Sequence, residues 1–183
     1  MLNIELKARC DDLGRLRDAC ISLGAEAEEP ERQIDTYFGV ARGRLKLRES
    51  LRSGAELIYY MRLDVAGARE SHYDIYQVED AEGLKTLLKR ALGVQAVVAK
   101  RREIYLIGNV RVHLDKVQGL GGFVELEGIV DHQAELFHVA EEVRRLEQTL
   151  GIAMDSLVKE SYADLSAKME AGPGPHDDLS TRR

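Results

Sequence analysis

Positively charged side chains recur at every second residue in one short segment of this sequence. Arg44, Lys46 and Arg48 alternate with Leu45 and Leu47, which is the pattern of a β-strand with one charged and one apolar face. Side chains on one face of a strand lie roughly 7 Å apart, so these like charges repel one another unless an anion lies between them. The segment therefore predicts one wall of an anion-binding site.

Other predicted strands sort their charges in the same way. Glu5 and Lys7 alternate with apolar residues near the start of the chain, and Glu125 and Glu127 alternate with apolar residues much later. If these strands form one closed or strongly curved sheet, a single lining collects about seven cations and four carboxylates. These residues are Lys7, Lys46, Arg48, Arg62, Lys100, Arg102 and Arg111, with Glu5, Asp115, Glu125 and Glu127.

The combined lining indicates a particular class of ligand. Charges removed from bulk water are costly unless they are paired, and the oxygens of a polyphosphate suit both the planar arginine fork and the lysine point charge. The carboxylates would repel that ligand, so they indicate a divalent cation between them and the phosphates. Oxygen ligands favour Mg²⁺ or Mn²⁺ over zinc. The alternative is that these faces are solvated outer surfaces of a sheet, but the sorting recurs on at least five segments.

The whole chain narrows the class of protein. Its 183 residues suit one domain, predicted over residues 1–170, and the polar, glycine- and proline-containing residues 171–183 are predicted to be a disordered tail. The net charge of -6 argues against a surface that coats nucleic acid. No apolar run approaches a membrane span, and Cys10 and Cys20 lack the spacing of a zinc or disulfide framework. We expect a soluble, untargeted protein of the reducing cytoplasm.

The elements that must position these side chains are mostly strands. Amphipathic helices are predicted over residues 11–23, 80–92 and 131–150, where leucines and valines recur at helical spacing. Period-two alternation predicts strands over residues 2–9, 44–49, 56–64, 72–79, 98–107, 109–115 and 122–128. Because strands outnumber helices, the sequence predicts an α+β fold.

Several motifs resemble one known family. The opening NIELK, residues 3–7, resembles the ExExK signature of the CYTH superfamily, the triphosphate tunnel metalloenzymes. Further similar motifs follow in order: QIDTYF at 33–38, GRLKLRE at 43–49, KRREIY at 100–105, VRVHLDKVQGLGGFVELE at 110–127 and SYADL at 161–165. The series spans nearly the whole chain up to the tail, and its middle and late members are most similar to the class IV adenylyl cyclase-like branch.

The resemblance implies both a fold and a reaction. It implies a closed or nearly closed eight-stranded antiparallel β-barrel, the triphosphate tunnel, with helices packed outside and with homodimers common among relatives. It also implies chemistry dependent on Mg²⁺ or Mn²⁺ on ATP or another triphosphate, with cyclic AMP and pyrophosphate as the cyclase products. The alternatives are a triphosphatase of inorganic triphosphate, thiamine triphosphate or a nucleoside triphosphate, and a non-catalytic sensor that signals through the helix at 131–150.

The resemblance also implies roles for individual residues. Metal binding falls to Glu5, Glu125 and Glu127, with Asp115 beside them or positioning the nucleophile, and catalytic roles fall to Asp115, Lys7 and Arg111. Phosphate oxygens are expected to contact Lys7, Lys46, Arg48, Arg62, Lys100, Arg102, Arg111 and Lys159. Lys159 has the alternative explanation of an exposed lysine beside the last helix. The chain departs from the family pattern at Asn3, where the signature has its first glutamate.

The positions of six further residues indicate local roles. Asp35 is expected to order a lining arginine. His113 could be catalytic, but beside Arg111 and Asp115 it is interpreted as a hydrogen-bonded lining residue. The aromatic residues of the strands either pack in the core or stack on a base; they are Tyr37, Phe38, Tyr59 and Tyr60.

Overall fold

A computed structural model describes residues 1–170 of the chain, so the predicted tail at 171–183 lies outside the described residues. The described part contains nine strands and four α-helices. The strands are β1 Leu2–Arg9, β2 Glu26–Ala27, β3 Glu31–Phe38, β4 Arg44–Ser50, β5 Gly54–Arg62, β6 Arg69–Val78, β7 Val94–Ile107, β8 Val110–Val117 and β9 Gly121–Val130. The helices are α1 Leu13–Ser22, α2 Ala81–Leu92, α3 Leu136–Thr149 and α4 Tyr162–Glu170.

Eight of the strands close into an antiparallel barrel. Their order is β7-β3-β4-β5-β6-β1-β9-β8, and β8 pairs back onto β7 to complete the circle, while the two-residue β2 pairs at one end of β7. A two-residue turn joins β7 to β8, with Gly108 at a φ of 57°. The predicted α+β class and closed eight-stranded barrel are confirmed.

The seven strands predicted from alternation are all present, but β2, β3 and α4 were not predicted as elements. In β3 the residues Gln33, Asp35 and Tyr37 face the barrel interior, and Ile34 and Thr36 face outward. Because both faces of β3 mix polar and apolar residues, the strand lacks the clean alternation on which the prediction depended. Helix α3 also begins later than predicted, after a 3-10 turn at Gln133–Glu135.

The main hydrophobic core lies outside the barrel wall. The outward apolar faces of β1, β8 and β9 pack against α1 and α3. Helix α3 approaches β9 closely at Gly128, where a Cβ atom would lie only 2.5 Å from Cγ1 of Val139. The wall that carries the acidic strands is therefore backed by a rigid, well-packed layer.

A second apolar cluster fills one end of the barrel interior. It joins inward residues of β3, β7, β8 and β9 to the buried side of α4, and includes Tyr37, Val98, Val117, Phe123 and Tyr162. We call this the closed end; it lies where β1 ends and β7 begins.

The N-terminus of α4 is fixed by reciprocal side-chain capping. The hydroxyl of Ser161 accepts a 3.1 Å hydrogen bond from the backbone N–H of Asp164, whose Oδ2 accepts one of 2.9 Å from the N–H of Ser161. Arg44 then ties Asp164 to Asp64, with Nη2 at 3.0 and 2.8 Å from their Oδ2 atoms. These contacts attach α4 to the start of β4 and to the segment that follows β5.

The opposite end of the barrel is the mouth, where β1 and β8 begin and β7 ends. Residues Glu28, Glu29, Arg52 and Ser53 lie on its rim, in the segment before β3 and in the turn between β4 and β5. Across the described residues, no helix combines the length and the apolar character needed to span a membrane.

Candidate functional site

The barrel encloses a cavity of about 480 Å³ between the closed end and the mouth. Side chains from all eight barrel strands and from the start of α4 line this cavity. Basic and acidic residues contribute equally to the lining, with eight of each. The basic residues are Lys7, Lys46, Arg48, Arg52, Arg62, Lys100, Arg102 and Arg111, and the acidic residues are Glu5, Glu28, Glu29, Glu31, Asp35, Glu56, Glu125 and Glu127.

One buried carboxylate organises three of the cations. Asp35 has no exposed surface, and its Oδ2 accepts hydrogen bonds from Nζ of Lys46 at 3.0 Å and from Nζ of Lys100 at 2.8 Å. Nε of Arg48 lies 2.9 Å from Oδ1 of the same carboxylate. The expectation that Asp35 orders a lining arginine is therefore met, and this one carboxylate also fixes two lysines.

The titration of this group reflects a crowded, buried set of like charges. Burial alone would raise the pKa of Asp35, but Arg48, Lys100 and Lys46 together hold that pKa well below its usual range. Burial and the neighbouring Arg48 lower the pKa of Lys46 to about 7, and burial lowers the pKa of Lys100 as well. We call Asp35, Lys46, Arg48 and Lys100 the Asp35 group. Because it has one carboxylate among three cationic side chains, the group carries a surplus of positive charge that suits an anionic ligand.

Acidic side chains face this cationic group from β1 and β9. Glu5 and Glu127 are direct cross-strand neighbours, as are Lys7 and Glu125. Nζ of Lys7 lies 3.0 Å from Oε1 of Glu125, and Arg102 pairs with the other oxygen of that carboxylate. Burial would raise the pKa of Glu125, but Lys7 and Arg102 hold it well below its usual range. Glu125 therefore stays ionised inside the cavity.

Glu5 is paired with two arginines. Its Oε1 contacts Nη1 of Arg62 and lies 3.1 Å from Nη2 of Arg69, and both arginine side chains are almost fully buried. Even so, burial raises the pKa of Glu5; Arg62 lowers it, and the nearby Glu125 and Glu127 raise it further. The pKa of Glu5 is therefore raised chiefly because burial disfavours the charged form, and the two arginines do not fully offset that effect.

The same wall has the donor set of a metal site. His113, Glu125 and Glu127 each offer one ligand atom, and these atoms all lie within 4.8 Å of one another. Nδ1 of His113 is buried without a hydrogen-bond partner and lies 3.8 Å from an oxygen of each glutamate. His113 lines the cavity as predicted, but the expected hydrogen bond is not formed at this nitrogen. A buried ring nitrogen without a partner beside two converging carboxylates fits a divalent cation. Glu5 is the cross-strand neighbour of Glu127, but its carboxylate pairs with two arginines and is not among the converging ligand atoms.

Asp115 was predicted to lie in the charged lining, but it does not line the cavity, although it is on the inward face of β8. Its carboxylate has no exposed surface and forms paired hydrogen bonds with Arg102, with Nε at 2.7 Å from Oδ1. The hydroxyl of Tyr162 donates a 2.8 Å hydrogen bond to Oδ2 of Asp115. Both carboxylate oxygens are thus occupied, and Asp115 contacts the site through Arg102.

The other predicted site residues occupy different positions. All seven strand cations predicted to share one lining do so, together with Glu5, Glu125 and Glu127. Lys159 is exposed and does not line the cavity; its backbone carbonyl lies 3.5 Å from Nη2 of Arg62. Asn3 lines the cavity, and its Oδ1 accepts a 3.1 Å hydrogen bond from the hydroxyl of Tyr73.

The sequence interpretation missed two kinds of site residue. Arg69, at the start of β6, precedes the predicted strand, so its pairing with Glu5 was not foreseen. Among the glutamates of the mouth, Glu31 was missed because β3 was not recognised as a strand. Glu56 was the first residue of the predicted strand 56–64 and shares the face of Tyr60 and Arg62, so period two would have identified it. Period two from Asp35 back through Gln33 would have placed Glu31 on the inner face.

Comparison with known proteins agrees with this geometry. Residues 1–162 match the CYTH domain. Adenylate cyclase CyaB of Aeromonas hydrophila is 30% identical over 172 residues, which are 88% of this chain and 87% of that protein. MJ0240 of Methanocaldococcus jannaschii is 29% identical over 174 residues, which are 90% of this chain and 98% of that protein.

A solved structure extends the likeness to three dimensions. The PH1012 protein of Pyrococcus horikoshii OT3 superposes with a TM-score of 0.79 at 28% identity, covering 89% of this chain and 98% of that one. The domain match covers far more than half of the sequence, from its first residue to the start of α4. This chain therefore belongs to the CYTH domain family.

Proposed function

We propose that the protein binds ATP or a related triphosphate in the barrel with a divalent cation and converts it to cyclic AMP and pyrophosphate. The observation that carries the proposal is the sorting of charge inside one cavity. The Asp35 group presents Lys46, Arg48 and Lys100 to a ligand, while Glu5, Glu125 and Glu127 lie on the facing wall. The similarity to a protein named adenylate cyclase supports this choice.

The positions of the cations between the mouth and the closed end determine which end of the ligand enters first. Lys7 and Lys100 lie beside the closed end, where Nζ of Lys7 is 3.9 Å from the centre of the Tyr162 ring. A phosphate chain that enters from the mouth meets progressively more positive charge, so its terminal phosphate points towards the closed end. The nucleoside then remains nearer the mouth, which leaves the α-phosphate beside the acidic wall.

In this orientation the lining residues have different roles in the proposed cyclisation. The ribose 3'-hydroxyl attacks the α-phosphorus and releases its proton to solvent, while the bond between that phosphorus and the bridging oxygen of the β-phosphate breaks to release pyrophosphate. Lys46, Arg48 and Lys100 stabilise the negative charge that develops on the departing pyrophosphate. Mg²⁺ or Mn²⁺ held by Glu125 and Glu127 with Glu5 would neutralise phosphate oxygens and make the hydroxyl a better nucleophile. Arg111 lies on β8 as the cross-strand neighbour of Glu127 on β9, and it is assigned to the α-phosphate.

Asp115 acts as a positioning residue in this proposal. It holds the guanidinium of Arg102 in one orientation, and Arg102 in turn reaches Glu125 and the cavity. Lys159 has no role in the proposed site because its side chain lies outside the lining. Asn3 replaces a carboxylate with an amide whose carbonyl is already engaged by Tyr73, so the proposal needs one cation only.

A product analysis tests the proposal directly. Purified protein is incubated with ATP or with inorganic tripolyphosphate, each with Mg²⁺ or Mn²⁺, and the products are separated by chromatography. Cyclic AMP and pyrophosphate are expected from ATP. Release of orthophosphate would instead assign a triphosphatase, since the same cations and carboxylates serve water attack on the γ-phosphorus. Tight, metal-dependent binding without any product would identify a sensor.

A matched pair of variants connects any activity to the cavity. Arg102 and Arg101 are neighbours on β7, but the former is buried and lines the cavity while the latter is exposed on the outer face. Arg102→Ala is expected to remove most of the activity, and Arg101→Ala to retain it. Equal activity in both variants would place the reaction outside the barrel.

A further inference from the structure

One sector of the cavity wall carries no charge. It belongs to the β5–β6 hairpin, between Glu56 near the mouth and Arg62 near the closed end. Facing the cavity from this sector are Ile58, Tyr60, Ser71, Tyr73 and Ile75. Because the other walls of the cavity are rich in ion pairs, a continuous uncharged stretch of two neighbouring strands is a separate surface with its own binding preference.

The outer part of this sector extends past the barrel rim. β1 pairs with β6 only as far as His72, and Met1 adds backbone hydrogen bonds to Tyr73, whereas β5 continues to pair with β6 up to Val78. The last residues of β6 therefore form a free strand edge at the mouth in the described structure. Ile75 lies in this extension and is 39% exposed, although it points into the cavity.

The uncharged sector is continuous with the phosphate-binding cations. Across the sheet Lys46 is the neighbour of Ile58, and Ile58 is the neighbour of Ile75. Adjacent strands are about 4.8 Å apart, so the strand that carries Ile75 lies roughly 10 Å from the one that carries Lys46. One elongated ligand can therefore place phosphates on the Asp35 group and a second, uncharged part on the hairpin.

We infer that Ile75, backed by Ile58, is the subsite for the organic part of the substrate, a planar heteroaromatic ring such as a nucleobase. The inference rests on the proposed function, since it takes triphosphate binding for granted, and it narrows the substrate class to organic triphosphates. Inorganic tripolyphosphate reaches the same cations but leaves the exposed face of Ile75 in water. A ring laid against that face removes apolar surface from water, which favours the organic ligand.

Substitution of Ile75 tests the subsite because it leaves every charge in place. The affinities of ATP and inorganic tripolyphosphate, each with Mg²⁺, are measured by calorimetry for the parent protein and for Ile75→Ser. Loss of the apolar contact is expected to weaken ATP binding by roughly five- to tenfold and tripolyphosphate binding by less than about twofold. Ile75→Ala, a milder change, is expected to give a smaller loss with the same selectivity, and it replaces the serine variant if that protein unfolds.

The control is Ile34→Ser, which alters an isoleucine of similar exposure, 45%, on the outer face of β3. It is expected to change neither affinity. Equal losses for both ligands in Ile75→Ser, or no loss for either, would overturn the subsite while leaving triphosphate binding intact. A parent protein that binds neither ligand would instead overturn the proposed function, and the subsite with it.

Discussion

The hydroxyl of Tyr162 lies 2.8 Å from Oδ2 of Asp115 and donates a hydrogen bond to it. This contact joins α4, the last described helix, to a carboxylate on β8 that also holds Arg102. The ring of Tyr162 packs edge-on against Phe123, with 5.0 Å between the ring centres, and lies beneath Nζ of Lys7. One side chain thus supports the base of the cavity by packing, by hydrogen bonding and by contact with a cation.

Tyr162→Phe is expected to weaken triphosphate binding as well as the fold. Removal of the hydroxyl takes one donor from a fully buried carboxylate, which should lower the free energy of unfolding by about 1–3 kcal/mol. Arg102 then loses part of the support that fixes its orientation. The checks are chemical denaturation and the affinity for tripolyphosphate.

Tyr105→Phe is the control for this change. Tyr105 is also buried and its hydroxyl donates to Glu103 at 3.1 Å, but on the outside of the barrel. It should cost similar stability without altering affinity. A loss of affinity of the same size in both variants would mean that the hydroxyl of Tyr162 has no specific link to the site.

Asp35→Asn is expected to make the empty protein less stable and more responsive to ligand. Two buried lysines and the half-buried Arg48 would lose their shared carboxylate, at a cost of about 3–5 kcal/mol to the free energy of unfolding. A bound polyphosphate would supply the missing negative charge. The increase in melting temperature caused by tripolyphosphate should therefore be larger in the variant than in the parent. An equal or smaller increase would show that the ligand does not contact this group.

Lys46 should make triphosphate affinity depend on pH near neutrality. Its pKa is lowered to about 7 in the empty cavity, and only the protonated amine attracts phosphate. The contribution of Lys46 to affinity is therefore complete well below pH 7 and declines as pH rises through 7, by up to about tenfold per pH unit while the bound amine stays protonated. Calorimetry with tripolyphosphate between about pH 6 and pH 9 measures this decline.

Lys46→Arg separates this effect from titration of the ligand itself. Arginine keeps its charge throughout the range, whereas the ligand titrates identically with both proteins. The logarithm of the affinity should fall more steeply with pH in the parent than in the variant, by a difference equivalent to at most one bound proton. Superimposable slopes would mean that Lys46 is charged at all these pH values.

Glu127→Gln is expected to weaken the binding of a divalent cation by at least about tenfold while the barrel stays folded. No described ion pair shorter than 3.8 Å involves Glu127, so its charge can be removed without stranding a buried cation. Mn²⁺ binding is followed by electron paramagnetic resonance in the absence of substrate. Glu70→Gln, on the outer face of β6 and with a side chain 52% exposed, should bind Mn²⁺ as the parent does. If Glu127→Gln binds Mn²⁺ equally well, the metal lies elsewhere.

Period-two alternation was enough to predict the inward faces of most strands. Lys46 and Arg48, for instance, face the cavity as their spacing from Arg44 indicates. Alternation tells which residues share a face but not what packs over that face. Asp115 shares its face with Arg111 and His113, yet the arrival of Tyr162 from a helix 47 residues later seals it from the cavity. Lys159 is close to Ser161 in sequence, but its side chain points outward.

Pairings between strands that are far apart in the sequence could not be predicted from the local alternation of residues either. Arg69 meets Glu5 because β6 and β1 are neighbours in the barrel, a register that depends on the closure of the whole sheet. The resemblance to the CYTH family supplied that closure, since it implied eight strands where alternation had found seven. The chemical roles given to the lining residues remain predictions until the variants above are measured.

The apolar filling of one barrel end has a consequence for turnover. A barrel that opens at one end imposes an order on product release, because the product bound deepest cannot leave until the product nearer the mouth has left. In the proposed cyclase reaction, the cyclic nucleotide would exit first, and the pyrophosphate, still held beside Lys7 and Lys100, would follow. The slow stage of each cycle would then be the escape of a small, highly charged anion from the bottom of the barrel rather than the making of the new ring.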